Sequence, residues 1–95
     1  AFVQKLTLLM PKIQFEQEAL NQFLDWQDLD KNIHLKIREL IRDIARDPFK
    51  GIGKPEPLKG DLKGFWSRRI TQEHRLVYRV ETDNIYILSC RGHYD

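Results

Sequence analysis

Ile33, Ile37, Leu40, Ile41 and Ile44 fall at i, i+4, i+7, i+8 and i+11. On a strand these five would split between the two faces, whereas 3.6 residues per turn sets them on one stripe of a helix. The chain must therefore hold a helix with one apolar face, and that face must be buried against something. Asp30 is placed to cap its start. Asp47-Pro48 stops it, because proline disfavours helical backbone in the residue before it. Upstream, Glu16 to Leu29 carries Leu20, Phe23, Leu24 and Gln27 at helical spacing, with Glu16 and Glu18 favourable in the first turn. The short gap between the two segments predicts an antiparallel helical hairpin.

The period changes after Pro48. Residues 50–64 hold four of the five glycines and two of the four prolines, which predicts a long loop with a short extended piece around Lys54 to Leu58. Phe65 to Thr71 then alternates, with Trp66, Arg68 and Ile70 opposite Phe65, Ser67 and Arg69. Arg75 to Val80 sets Leu76, Tyr78 and Val80 opposite Arg75, Val77 and Arg79. Ile85 to Cys90 is nearly all apolar, as in a strand buried on both sides. Turns at residues 72–74 and 82–84 suit a meander, and Pro11 to Phe15 reads as a short first strand. The expected fold is α+β: an N-terminal helical hairpin packed on one face of a small, mostly antiparallel sheet of four or five strands. The other face carries arginines.

With 95 residues the chain holds one domain, and 41% hydrophobic residues suffice for its core. No apolar run approaches the ~20 residues that span a bilayer, so no membrane role is expected. Ala1 to Met10 lacks the features of a signal peptide. Residues 1–9 read as an upstream extension or expression remnant, and residues 10–95 as the domain. Cys90, the single cysteine, rules out an internal disulfide and fits a reducing cytoplasm. Three scattered histidines give no zinc spacing, so neither metal nor cofactor is expected and side chains must carry any chemistry. Net charge is +2, but unevenly spread. Residues 50–79 hold eight Lys/Arg against three Asp/Glu, a net of +5, while residues 1–49 net −1 and residues 80–95 net −2. Such a basic middle suits a polyanion partner and fits an ordinary solvated surface equally well.

Metal-free RNA cleavage needs a base for the 2′-hydroxyl proton, cations for the phosphorane charge and an acid for the leaving 5′-oxygen. Glu56 sits between two prolines that stiffen its backbone; by residue type alone it is also an exposed loop carboxylate. Arg69 and Arg75 lie on neighbouring strands across a short turn, where two guanidinium forks can clamp one phosphate. Arg68 has the opposite parity to Arg69, so only one of them faces that site. His93 suits proton transfer near neutrality, and the adjacent Tyr94 offers a stacking face for an unpaired base; composition alone also allows a frayed terminus. His34 and His74 read as structural or surface residues, Trp26, Trp66 and Phe49 as core, and Cys90 as a packed thiol.

The blocks KPEPL, GFWSRRI, EHRLVY and the C-terminal HY, with DWQDLDK and IRELIRDIARDPFKG in the helical part, resemble the YoeB family of the RelE superfamily of toxins. The resemblance spans Met10 to Tyr94. It implies a RelE-like fold, ribosome-dependent cleavage of mRNA in the A site, neutralisation by a YefM-like antitoxin, and a homodimer. By position it makes Glu56 the general base, Arg75 the transition-state stabiliser, His93 the general acid and Tyr94 the residue that orders the nucleotide. Arg69, Lys54 and Lys59 become supporting phosphate or rRNA contacts. The family ends on the His-Tyr pair, whereas Asp95 follows here. Two other readings stay open: a binding module that occludes ribosomes or RNA without cutting, and a gyrase-targeting toxin of the related ParE group.

Overall fold

The computed structural model describes residues 11–92; the expected extension at residues 1–9 lies outside them. In chain order the elements are β1 (Lys12–Phe15), α1 (Gln17–Leu29), α2 (Lys31–Arg46), β2 (Glu56–Pro57), a 3-10 turn (Gly60–Leu62), β3 (Phe65–Arg69), β4 (Arg75–Glu81) and β5 (Asn84–Ser89). The strands form one five-stranded sheet in the order β1-β5-β4-β3-β2. Only β1 pairs in parallel, with β5; the other three pairings are antiparallel. The expected helices-on-sheet α+β fold is what forms.

One residue joins the helices. The Asp30 N–H closes α1 on the Trp26 carbonyl, and its carboxylate accepts the Asn32 and Ile33 N–H groups at 3.0 and 3.2 Å, which satisfies two orphan donors at the start of α2. The predicted stripe of α2 is the buried one. Ile37, Leu40 and Ile44 are fully buried among Ile70, Leu76, Tyr78, Ile85 and Ile87 of the sheet, with Ile33 and Ile41 at the margin.

Three expectations need correcting, and the first is Phe49, read as core, which is 49% exposed with its ring against Trp66. The buried face of α1 is Ala19 and Trp26, with Phe23 beside them, while Leu24 is 50% exposed and Gln27 is exposed. The helix is rotated because the Trp26 indole has a partner to reach: its Nε1–H donates to the Cys90 carbonyl at 3.0 Å, and buried indole N–H groups need one. Nor is β5 buried on both sides. Ile85 and Ile87 are buried, whereas Tyr86 and Leu88 on the alternate face are half-buried.

Arg68 ties the loop after α2 to the sheet. Its side chain is fully buried, and its five N–H groups all find acceptors. Nε donates to the Tyr78 hydroxyl at 3.1 Å, Nη1 to Asp43 and to the Ile52 carbonyl at 3.2 Å, and Nη2 to the Asp47 and Lys50 carbonyls at 2.7 and 3.1 Å. Tyr78 passes the chain on by donating to the Pro48 carbonyl at 2.7 Å. Burial alone would raise the Asp43 carboxyl, but hydrogen bonds from Arg46, Arg68 and the Ile52 N–H outweigh it and hold the group at about 2. Gly51 is required where it stands. Its φ is +134°, and a Cβ there would collide with the Asp43 carboxylate. The segment fixed in this way leads directly into β2, which carries Glu56.

Candidate active site

Strand parity sends Trp66, Arg68 and Ile70 toward the helices, so Ser67 and Arg69 face the other way. The register carries that face across the sheet: Glu56 of β2 is opposite Ser67, Ser67 is opposite Val77, and Arg69 is opposite Arg75. Glu56 and Arg75 meet there. Nη1 of Arg75 donates to Oε1 of Glu56 at 3.0 Å and lies 3.3 Å from the Ser67 hydroxyl. The Arg75 side chain is 19% exposed and that of Glu56 is 55% exposed, so the carboxylate is open to an incoming group while its partner is half-sheltered. The backbone just before it is strained: Lys54 has φ +52°, which a residue with a Cβ rarely adopts.

Three arginines of β3 and β4 share this face, and they differ in how they are used. Arg79 is taken up by the rings of Phe65 and Tyr86, 5.1 and 5.0 Å from its guanidinium carbon, and by Glu81 at 2.7 Å. Arg75 holds Glu56. Arg69 is exposed, and its guanidinium has no partner among the described residues. Like charges directly opposite each other on a sheet repel, and Glu56 offsets only one of the two positive charges in the Arg69–Arg75 row. Among the described residues the Glu56, Arg69 and Arg75 side chains therefore keep one positive charge without a counter-charge.

Lys54 and Lys59 are exposed on the surrounding loop, and among the described residues no contact ties either to the Glu56–Arg75 pair. His93 and Tyr94 lie outside the described residues. The chain approaches them along a tightly held path. The Cys90 N–H donates to Oε1 of Gln22 at 2.8 Å, the Arg75 N–H donates to the Gly92 carbonyl at 2.8 Å, and the Gly92 N–H donates to Nδ1 of His74 at 2.9 Å. Gly92 is thus bonded to the backbone of the residue whose guanidinium holds Glu56. Cys90 itself is fully buried, and burial pushes its thiol up to about 12, which removes it as a nucleophile.

Sequence reasoning missed Ser67, Gln22 and Trp26 as parts of this arrangement. Ser67 was findable, since it shares parity with Arg69. Gln22 and Trp26 were hidden by the wrong helical face. The two recesses lined by α2, one bounded by Glu39, Arg42, Asp43, Arg46 and Ile52 and the other by Ile13, Phe15, Phe23, Arg38, Ile41 and Arg42, include none of Glu56, Arg69 or Arg75. The charged cluster lies on the sheet face that strand parity turns away from the helices.

Two helices on this sheet define the RelE-like class of α+β toxins. The likeness reaches the E. coli DinJ–YafQ toxin–antitoxin complex, at TM-score 0.71 and 17% identity over 87% of this chain and 92% of that one, which bears on the fold alone. The chain belongs to a narrower group within that class: the model of the "YoeB-like toxin of bacterial type II toxin-antitoxin system" matches residues 15–94. It is 57% identical to Toxin YoeB of Escherichia coli K12 over 83 residues, 87% of this chain and 99% of that protein. Two solved structures from Staphylococcus aureus, a YoeB dimer and a YoeB–YefM complex, superpose with TM-scores of 0.83 and 0.81 at 46% and 45% identity, each covering 88% of this chain and 98% of theirs. The resemblance read from the KPEPL, GFWSRRI and EHRLVY blocks is thereby borne out. No helix among the described residues is long and apolar enough to cross a membrane.

Proposed function

We propose that residues 10–95 form a ribosome-dependent mRNA endoribonuclease that acts in the cytoplasm by acid–base cleavage without a metal. The observation that carries this reading is the Glu56–Arg75 pair at 3.0 Å, with Arg69, which has no partner among the described residues, opposite Arg75 on the same face. Glu56 removes the proton from a ribose 2′-hydroxyl, and that oxygen attacks the adjacent phosphorus. Arg75 and Arg69 take up the charge that builds on the phosphorane oxygens, supplying what a metal would otherwise bring. His93 gives a proton to the departing 5′-oxygen as the P–O5′ bond breaks. The products are a 2′,3′-cyclic phosphate, which can open to a 3′-phosphate, and a 5′-hydroxyl. Tyr94 stacks on the nucleotide, and Lys54 and Lys59 contact neighbouring phosphates.

A YefM-like antitoxin neutralises the protein by laying an acidic segment over the basic face of residues 50–79; folding on binding lets such a segment cover a large surface. The S. aureus YoeB–YefM complex supports a YefM-like partner at 45% identity, and the S. aureus dimer supports a homodimer at 46%. Toe-printing on translating ribosomes tests the enzymatic reading. Wild type should cut mRNA in the A site, while Glu56→Gln and His93→Gln should each lower the rate by ~10²–10⁴-fold, the usual worth of positioned proton transfer. Ribosome binding should persist in both, because the phosphate contacts that position the chain remain. If both variants stall ribosomes as wild type does and none of the three proteins cuts, the protein acts by occlusion.

A further inference from the structure

Among the described residues no hydrogen bond or ion pair joins the His74 ring to the side chains of Glu56, Arg69 or Arg75, and the chemistry proposed above gives it no part. Its ring is nonetheless built into the path that leads to the C-terminus. The turn that carries it is locked on every side. The His74 carbonyl accepts the Ile70 and Thr71 N–H groups at 2.9 and 3.1 Å, and the Thr71 hydroxyl accepts the Glu73 and His74 N–H groups at 3.1 Å each. The ring stands edge-on to Trp26 with centroids 4.9 Å apart, and Trp26 in turn holds the Cys90 carbonyl at 3.0 Å. Both ends of the 90–92 segment are therefore fastened to one aromatic pair.

Gly92 is the point at which this fastening matters. With φ +82° it occupies backbone space that glycine enters freely, so its own conformational preferences do not fix the direction in which the chain leaves. Contacts must do so. Two are present, one on each polar group of the residue: its carbonyl accepts from the Arg75 backbone at 2.8 Å and its N–H donates to Nδ1 of His74 at 2.9 Å. An amide N–H can only donate, so Nδ1 must present its lone pair, and the ring proton sits on Nε2. Glu73 and Arg75 flank His74 in the chain, and Arg91 lies over Trp26, its guanidinium carbon 5.3 Å from the ring centre. None of them supplies an acceptor for the Gly92 N–H.

We propose that His74 is a positioning residue. By accepting the Gly92 N–H, its neutral ring holds the Arg91–Gly92 peptide, while the Arg75 N–H holds the next peptide through the Gly92 carbonyl, and the two bonds together direct the chain that leads to His93 and Tyr94. The proposal rests on the reading of His93 as the general acid. The effect belongs to the chemical step. The Glu56–Arg75 side-chain pair and the Arg69 guanidinium do not depend on the His74 acceptor, so substrate contacts made by them persist. A displacement of about 1 Å at a proton donor costs up to ~10²-fold in rate.

Three proteins separate the acceptor from the ring: wild type, His74→Phe, which keeps an aromatic edge against Trp26 without an acceptor, and His74→Asn, whose amide oxygen can reach the Nδ1 position. Single-turnover cleavage on programmed ribosomes gives the maximal rate and the half-saturating ribosome concentration, and amide exchange read by NMR reports on the Gly92 N–H. His74→Phe should lose about 10–100-fold in maximal rate, with half-saturation changed by less than about 3-fold and fast exchange at Gly92. His74→Asn should recover most of the rate, with slow exchange at Gly92. The proposal is overturned if His74→Phe cuts at the wild-type rate, if His74→Asn is as impaired as His74→Phe, or if rate and ribosome affinity fall together. A wild-type protein that does not cut refutes the proposed function itself and removes the acid that His74 would position. A His74→Phe failure beside an active wild type touches only the present inference.

Discussion

At the scale of the residue, the Arg68–Asp43 pair shows how a buried charge is kept. The guanidinium is fully buried and makes five hydrogen bonds, so neither ion is left without partners. Removing one partner of such a pair strands the other. Asp43→Ala should therefore lower the free energy of unfolding by ~3–5 kcal/mol, measured by chemical denaturation; a loss under ~0.5 kcal/mol would put the pair among ordinary surface contacts. The pair also gives a pH dependence of definite sign. The Asp43 carboxyl titrates at about 2 in the folded protein against 3.8 for a free side chain. The stability it contributes is complete above the higher value and is lost as pH falls toward the lower one. Wild type should weaken between pH 4 and pH 2 more than Asp43→Asn does. Cys90, with its thiol pushed up to about 12 by burial, should react with Ellman's reagent only when the protein is unfolded, and rapid labelling of native protein would contradict its burial. Strand parity alone separated Arg68 from Arg69 and sent them to opposite faces. It did not reveal that Arg68 gathers the carbonyls of Asp47, Lys50 and Ile52, because loop carbonyls carry no pattern in a sequence.

At the scale of the element, α2 was legible because its five aliphatic residues leave one solution. Leu40 lies at the centre of that stripe, fully buried. Leu40→Ala should cost roughly 2–5 kcal/mol through lost transfer energy and the cavity left behind, read from a shift in the urea midpoint at constant slope. The same reasoning misplaced the face of α1, where Leu20 and Leu24 outnumber Ala19 in bulk. What decides that face is the tryptophan at position 26, whose N–H reaches a carbonyl 64 residues away, and a contact of that range cannot be read from local spacing. For β5 a run of apolar residues reads as burial on both faces, but a sheet covered by helices on one side leaves the other open. The strands that carry the charged cluster fared better. β3 and β4 alternate cleanly, so Arg69 and Arg75 could be placed on one face and paired before any coordinates existed. Glu56 was singled out by its flanking prolines, but its contact with Arg75 spans the 19 residues of a loop and two strands.

At the scale of the whole molecule, the helices cover one side of the sheet and leave the charged side open. In the proposed function this one surface serves both RNA and a neutralising partner. A peptide that covers residues 50–79 should compete with ribosomes for the toxin, and its affinity should fall as salt screens the charges. Light scattering should find a dimer at micromolar concentration and above; a monomer throughout that range would count against the homodimer. The central claim is that Glu56 and the C-terminal histidine use the ribose 2′-hydroxyl as nucleophile on this open face. The most direct measurement is end-group analysis of mRNA cut by the wild-type protein on ribosomes. The account predicts a 2′,3′-cyclic phosphate or 3′-phosphate on the upstream fragment and a 5′-hydroxyl on the downstream one. A 5′-phosphate on the downstream fragment would mean that water, and not the 2′-hydroxyl, attacks phosphorus, and would contradict it.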